Sequence, residues 1–287
     1  MGDVLLMGAV AYDPKVVTIW DGFRRWFEGQ GLAFDYVLYS NYERQAEDLL
    51  AGRISAAWNS PLAWVRARRL SDAEGAPVRA VAMRDTDRDL TSVVVVKADS
   101  PIGSIDDLMG SGLVVGTGAV DSPQATLLPV DHLRVGGIAP GVDVQVRRFD
   151  VGVGLHGDHV GGEREAARAL LAGAVDAACM IDANHLLFAR EGTIPSGATR
   201  VLTQTTPFDH CNITVGADAP AALVERFTDL LLAMDYGDPA VRPLLDLEGL
   251  TRWLPGRTDG YAALERAVDH AGFYDGKGAV TADDYRP

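Results

Sequence analysis

Two stretches of this chain repeat one another, and the repeat limits what it can fold into. "GAVAYDP" at 8–14 returns as "GAVDSPQ" at 118–124, an offset of 110 residues. "LLAGRISAAW" at 49–58 returns as "LLAGAVDAAC" at 170–179, an offset of 121. Self-similarity of this kind means two copies of one supersecondary unit, the second carrying an insertion. Each copy reads strand, helix, strand, helix, strand.

In the first copy, residues 4–10 read as a strand. Asp13 serves as N-cap and Pro14 as the first helical residue, where a missing N–H does no harm. Val16, Ile19, Trp20, Phe23, Trp26 and Phe27 recur at helical spacing, and Gly29 or Gly31 ends the helix. "FDYVLYS" is a strand, and "SNYE" is a capping box from Ser40 to Glu43. "ISAAW" is the next strand, and Ser60-Pro61 opens a third helix. In the second copy, "LVVGTGAV", "VDVQVRRF" and "VDAACMI" are strands, Ser122-Pro123 opens one helix, and "EREAARALLAG" forms another. Residues 150–162 carry five glycines and no apolar period, so they read as a long loop bordering a cleft.

Alternating strands and helices call for an α/β fold of two Rossmann-like lobes with a hinged cleft. The expected division is 1–92 with 208–287 in one lobe and 99–205 in the other, with crossings at 93–98 and 206–207. Residues 213–287 hold no third copy and are expected to return to the first lobe. A length of 287 residues suits two such lobes. The net charge of −14 argues against nucleic acid or an anionic membrane surface as partner. No apolar stretch approaches the ~18 residues of a membrane span. Two cysteines, Cys179 and Cys211, are too few for a disulfide framework. "MGDVLLMGAVAYDPK" has neither a basic n-region nor a small-residue cleavage site. As written, the chain reads as cytoplasmic, or as periplasmic or extracellular if a signal once preceded it.

The stretches "YERQAEDLLAGRISAAWNSPLAWV", "ADSPIGSIDDLMGSGLVVGT", "SPQATLLPVDHL" and "EREAARALLAGAVDAACMID" carry a resemblance. The chain resembles the type II periplasmic solute-binding fold, and within it the phosphate/phosphonate-binding proteins of ABC transporters. In that family a Ser-Thr-Ser-Gly run caps a second-lobe helix and holds the phosphonate. The matching run is Ser122-Pro123-Gln124-Ala125, which keeps one hydroxyl and loses an N–H at Pro123. Tyr42 matches a family ligand tyrosine, and Leu90 replaces a second one. A family histidine falls near Glu163, with His159 close by. Asp182 matches an acidic position that can pair with a ligand ammonium. These departures disfavour a doubly charged phosphonate and leave a carboxylate compatible.

The resemblance implies a small-molecule binding protein that closes its lobes on an anionic or polar ligand, with an ABC permease as partner if exported. In open α/β sheets, ligands bind beyond the carboxyl ends of the strands. The candidate ligand set is therefore Tyr12, Asp13, Tyr42, Asn59, Ser60, Ser122, Gln124, Asp182 and His210. Ser122 is either a plain cap or the floor of an anion site. The alternative is a cytoplasmic lyase, decarboxylase or biosynthetic enzyme on the same fold, with His210, His159 or Asp182 as acid or base. Asp13 is a further acid–base candidate. No P-loop, G-x-S-x-G or H-E-x-x-H occurs, so no cofactor is expected. "HGDH" at 156–159 has weak ligand spacing, and no metal is expected. His210 and Cys211 are expected on opposite faces of one strand. Trp58, Cys179 and Cys211 are expected in the core.

Overall fold

The computed structural model describes residues 4–287. The first sheet takes β1 (Leu5–Val10), β2 (Phe34–Tyr39), β3 (Ala56–Asn59) and β4 (Arg79–Arg84), linked by α1 (Lys15–Gly29), α2 (Tyr42–Leu50) and α3 (Pro61–Glu74). The second takes β5 (Ser92–Lys97), β6 (Val114–Thr117), β7 (Gln145–Arg148), β8 (Ala177–Ile181) and β9 (Thr199–Gln204). Its helices are α4 (Leu128–Val135), α5 (Gly161–Leu171) and α6 (Asp182–Glu191). The chain then returns through β10 (Asn212–Val215), α7 (Ala221–Leu232), α8 (Arg242–Glu248), β11 (Trp253–Pro255) and α9 (Ala262–Ala271).

The sheet orders are β11-β4-β10-β3-β1-β2 and β7-β6-β8-β5-β9. The repeat strands pair in parallel, β1 with β2 and β3, and β6 with β7 and β8. The two strands entered by a crossing run antiparallel: β5 between β8 and β9, and β10 between β3 and β4. Residues 93–97 thus lie inside a central strand and do not form a crossing. The first crossing runs through 85–91 and the second through 205–211, and the two meet at the antiparallel Leu90–Phe208 bridge.

The apolar face read from α1 is buried. Val16, Ile19, Trp20, Phe23 and Phe27 pack with β1, β3 and α7, and Trp58 joins them edge-on to Trp20 and Trp253. Two caps differ from the reading: α1 starts at Lys15 with Pro14 at its N-cap and Asp13 one residue before it, and α2 is capped by Asn41, whose side chain accepts from the Arg44 N–H, while Glu43 turns inward. Asp13 accepts from the Lys15 N–H at 2.8 Å. Ser60 caps α3 ahead of Pro61.

The C-terminal segment does not rest on the first lobe alone. Leu264, Ala267 and Val268 of α9, with Phe273, Tyr274 and Tyr285, pack against Leu62, Trp64 and Val65 of α3 and against Val120, Leu127 and Leu128 of the second lobe. Buried Asp131 of α4 accepts from Arg266 at 2.9 Å and pairs with His270 at 2.5 Å. On the other side, Asp269 meets Arg69 of α3 at 2.7 Å. The segment is a clasp across both lobes. Phe273→Ala should cost roughly 3–5 kcal/mol, the range for emptying a buried aromatic site. Urea unfolding reads the loss, and amide exchange should rise across 262–287.

Candidate functional site

The loop between β7 and α5 lies between the two lobes, against Ser60 just past β3 of the first sheet and Ser122 and Gln124 past β6 of the second. Three of its glycines, Gly152, Gly154 and Gly157, adopt the left-handed region. Only glycine fits at 157, because a Cβ there would meet the Gln124 amide at 2.6 Å and the Ser122 hydroxyl at 2.7 Å. Asp121 accepts the N–H groups of Gly154 and His156 and so fixes the loop to the second lobe.

From this loop His156 reaches the first lobe and is fully buried there. Its Nδ1 lies 2.7 Å from Ser60 Oγ and its Nε2 2.9 Å from Glu43 Oε1. The ring stacks on Tyr42 at 4.8 Å. Tyr274 and Tyr285 donate to the same Glu43 oxygen at 2.8 and 2.9 Å. Burial alone would raise the Glu43 pKa, but His156 and the two tyrosines outweigh it and hold the carboxyl at about 2. Burial would lower the His156 pKa, yet Glu43 outweighs it and the imidazole titrates above its usual value. The Tyr42 hydroxyl donates to Asp158 of the same loop.

A second polar group lies beside this one. Arg84, at the end of β4, grips Asp87 with two hydrogen bonds at 2.6 and 2.8 Å and Glu248 at 3.3 Å, and covers Trp58 at 5.1 Å. Desolvation would raise the Asp87 pKa, but Arg84 holds it at about 2. Burial pushes Glu248 up to about 7 against the pull of Arg84. Asp158 is also raised by burial, with His210, Tyr42 and Arg84 opposing. Tyr12 is half-buried, and its hydroxyl is raised by burial and by Asp158 and Glu248. His210 Nδ1 sits 3.1 Å from Cys211 Sγ and 3.5 Å from Asp87. The two neighbours do not point to opposite faces, because they precede β10 and escape its alternation. Asp87, His210 and Cys211 hold three metal-type donor atoms within 4.8 Å of one another, but Arg84 already takes both Asp87 oxygens.

The sequence candidates divide. Tyr42 and Ser60 lie against His156, and Ser122 and Gln124 against Gly157, so these four touch the same loop; His210 lies by Cys211 and Asp87, and Tyr12 is half-buried just after β1. Ser122 is buried, and its Oγ accepts from the Ala125 N–H at 3.2 Å, so it acts as a cap. The Thr126 and Leu127 N–H groups go to the Ser122 carbonyl, which makes the first turn wide and leaves few free donors for an anion. The Gln124 amide donates to the Gly157 carbonyl at 2.7 Å and to Glu163 at 3.3 Å. Asn59 does not offer its amide to the cleft: it accepts from Gln45 and donates to Thr214 inside the first sheet. Asp182 is taken by Thr91 and by the Ala183 N–H. Asp13 and His159 are exposed, and each makes a local turn contact. Sequence reasoning missed Glu43, Arg84, Asp87, His156, Asp158 and Glu248. The "HGDH" run was visible, but nothing local says that His156 crosses to the other lobe. A cavity of about 680 Å³ lies elsewhere, between α4 and the C-terminal clasp.

A family described as the phosphonate-binding periplasmic substrate-binding protein of ABC transporters matches residues 9–261. The chain belongs to this family. It is a small-molecule binding protein of the ABC-transporter solute-binding type, and this match supports that reading over the enzyme alternative. No curated protein sequence matches it. Among solved structures it is similar to PhnD1 from Prochlorococcus marinus in complex with methylphosphonate (17% identity, TM-score 0.68, 94% of this chain and 98% of that one). It is similar to XAC2383 from Xanthomonas citri bound to ATP (18%, TM-score 0.70, 94% and 99%). It is also similar to the aliphatic sulphonate-binding protein SsuA from Escherichia coli (17%, TM-score 0.59, 94% and 87%). At these identities the structures establish the type II fold alone.

The buried His156–Glu43 pair gives a pH signature. The depressed Glu43 pKa contributes stability that is present above its usual value of 4.5 and is lost as pH falls toward 2. The raised His156 pKa contributes stability that is present below 6.5 and is lost as pH climbs through the raised value. The melting temperature of the wild type should therefore exceed that of Glu43→Gln most between pH 4.5 and 6.5. The gap should narrow on both sides, as read by thermal unfolding at graded pH.

Proposed function

We propose that the chain is the capture component of an ABC importer, working outside the cytoplasmic membrane and delivering a small polar solute to a permease. The ligand lies between Tyr12, Tyr42, Arg84 and His210 of the first lobe and the Ser122–Gln124 turn and Asp158 of the second. What carries this reading is the convergence of buried polar side chains from both lobes on one cleft at the strand ends.

The charge of that cleft narrows the ligand class. Five acids hold groups at the lobe-facing loops, Asp87 and Glu248 on Arg84, Asp121 on the strap backbone, Glu163 on Gln124 and Asp158 on Tyr42, against the cations Arg84, His156 and His210. Burial raises the pKa of Asp121 and Asp158, and lifts Glu163 and Glu248 to about 7, so the site already resists negative charge. The ligand is therefore a small acid of at most one net negative charge: a monoanion, or an acid that also carries an ammonium to meet Asp158.

Calorimetry at pH 8 tests this with methanesulfonate, 2-aminoethylphosphonate and methylphosphonate. The first two should bind more tightly than the dianionic methylphosphonate, whose affinity should rise as pH falls to 6. His210→Ala should weaken the tightest of them roughly ten- to hundredfold, the worth of one hydrogen bond to a charged group. Methylphosphonate binding tightest at pH 8 would overturn the ligand class. No binding by any of the three, nor by small carboxylates, would overturn the site.

A further inference from the structure

We infer that the 150–160 loop is a strap and that His156 is its positioning residue: by docking in the first lobe it builds the far wall of the ligand site and holds the cleft closed before any ligand arrives. Solute-binding folds close through contacts made by the ligand. This chain supplies a lobe-to-lobe contact of its own.

The receiving pocket is built in advance. Ser60 is fixed as the cap of α3, accepting from the Ala63 N–H at 3.1 Å. Glu43 is fixed by Tyr274 and Tyr285, and its backbone carbonyl accepts from Arg66 at 2.6 Å. These are first-lobe and clasp residues that need nothing from the strap. His156 then enters as a fully buried side chain with a partner on each ring nitrogen. Its backbone sits at φ +50°, a region that a residue with a Cβ rarely takes. Such a conformation persists only where its surroundings hold it. Here Asp121 holds it from one lobe and Glu43 with Ser60 from the other. The charged and titratable neighbours come from four elements: Glu43 and Tyr42 from α2, Tyr274 and Tyr285 from the clasp, Asp121 from the turn before α4, and Asp158 from the strap itself.

Docking also places the rest of the strap. Two residues on from His156, Asp158 meets the Tyr42 hydroxyl, and Gly157 between them lies against Ser122 and Gln124. Without His156 in its pocket, the strap keeps only the Tyr42–Asp158 hydrogen bond and the packing of Leu155 to hold it to the first lobe. Opening the cleft withdraws the imidazole and leaves the Glu43 carboxylate with its tyrosines alone. Glu43 Oε2 already lacks a partner, so the loss of His156 falls on a half-satisfied group.

The test needs no ligand, so its failure is separable from failure of the ligand reading above. Spin labels at exposed positions Arg25 and Val142 report the distance between the lobes in the full-length, ligand-free protein. The wild type should give one dominant distance matching the closed structure. His156→Ala should raise the open population at least tenfold, Glu43→Gln should act in the same direction, and the double variant should add little to either. Circular dichroism confirms that each variant is folded; should His156→Ala fail, Glu43→Gln and Ser60→Ala carry the comparison. A wild type that is mainly open without ligand overturns the strap. So does a folded His156→Ala or Glu43→Gln protein with an unchanged distance.

Discussion

Everything in this molecule hangs on two chain crossings that run side by side. The first feeds β5 into the middle of the second sheet, and the second feeds β10 into the middle of the first. Each inserted strand is hydrogen-bonded on both sides, so neither lobe can lose it without losing its core. The two crossings meet at the Leu90–Phe208 bridge, where the lobes are joined by the shortest chain. The crossings also set the site. Arg84, Asp87, His210 and Cys211 all lie on or next to them.

Against that hinge the molecule sets two further connections between the lobes. The clasp joins α3 to α4 through apolar packing and the buried Asp131 group. The strap joins α2 and α3 to the second lobe chiefly through His156, with the Tyr42–Asp158 hydrogen bond beside it. The clasp is broad and greasy, whereas the strap is narrow and polar. Polar contacts can be exchanged for contacts with water or a solute, while a dry apolar interface cannot be opened so cheaply. The strap is therefore the connection suited to opening and closing.

Much of the fold was legible because the repeat fixes it. Two copies of one α/β unit leave few topologies open, and Pro at the first helical position marks the starts of α3 and of the turn at Ser122. The crossing positions were misplaced because "TSVVVVKADS" is an apolar run with no internal boundary, and all of it up to Lys97 proved to be strand. The α2 cap was off by one because Asn41 is as good a cap as Ser40, and Glu43 has a stronger partner inside. The site was legible only where a residue sits at a strand end, as Tyr12 and Ser60 do. Glu43 and His156 are 113 positions apart in the chain, and Glu43 and Tyr285 are 242 apart. No periodicity or spacing announces such a contact. Asn59 misled for the opposite reason: it stands at a strand end, but its amide completes a hydrogen-bond chain through Gln45 and Thr214.

The claim that joins these observations is that the solute lies in the cleft between the lobes and not in the groove beside the clasp. A crystal structure of the protein with the tightest solute found by screening tests it directly. The expected density touches Tyr42 or His210 on one side and Asp158 or Gln124 on the other, with His156 still seated between Ser60 and Glu43. Density in the groove between α4 and the clasp, with the cleft residues unmoved and empty of solute, would contradict it.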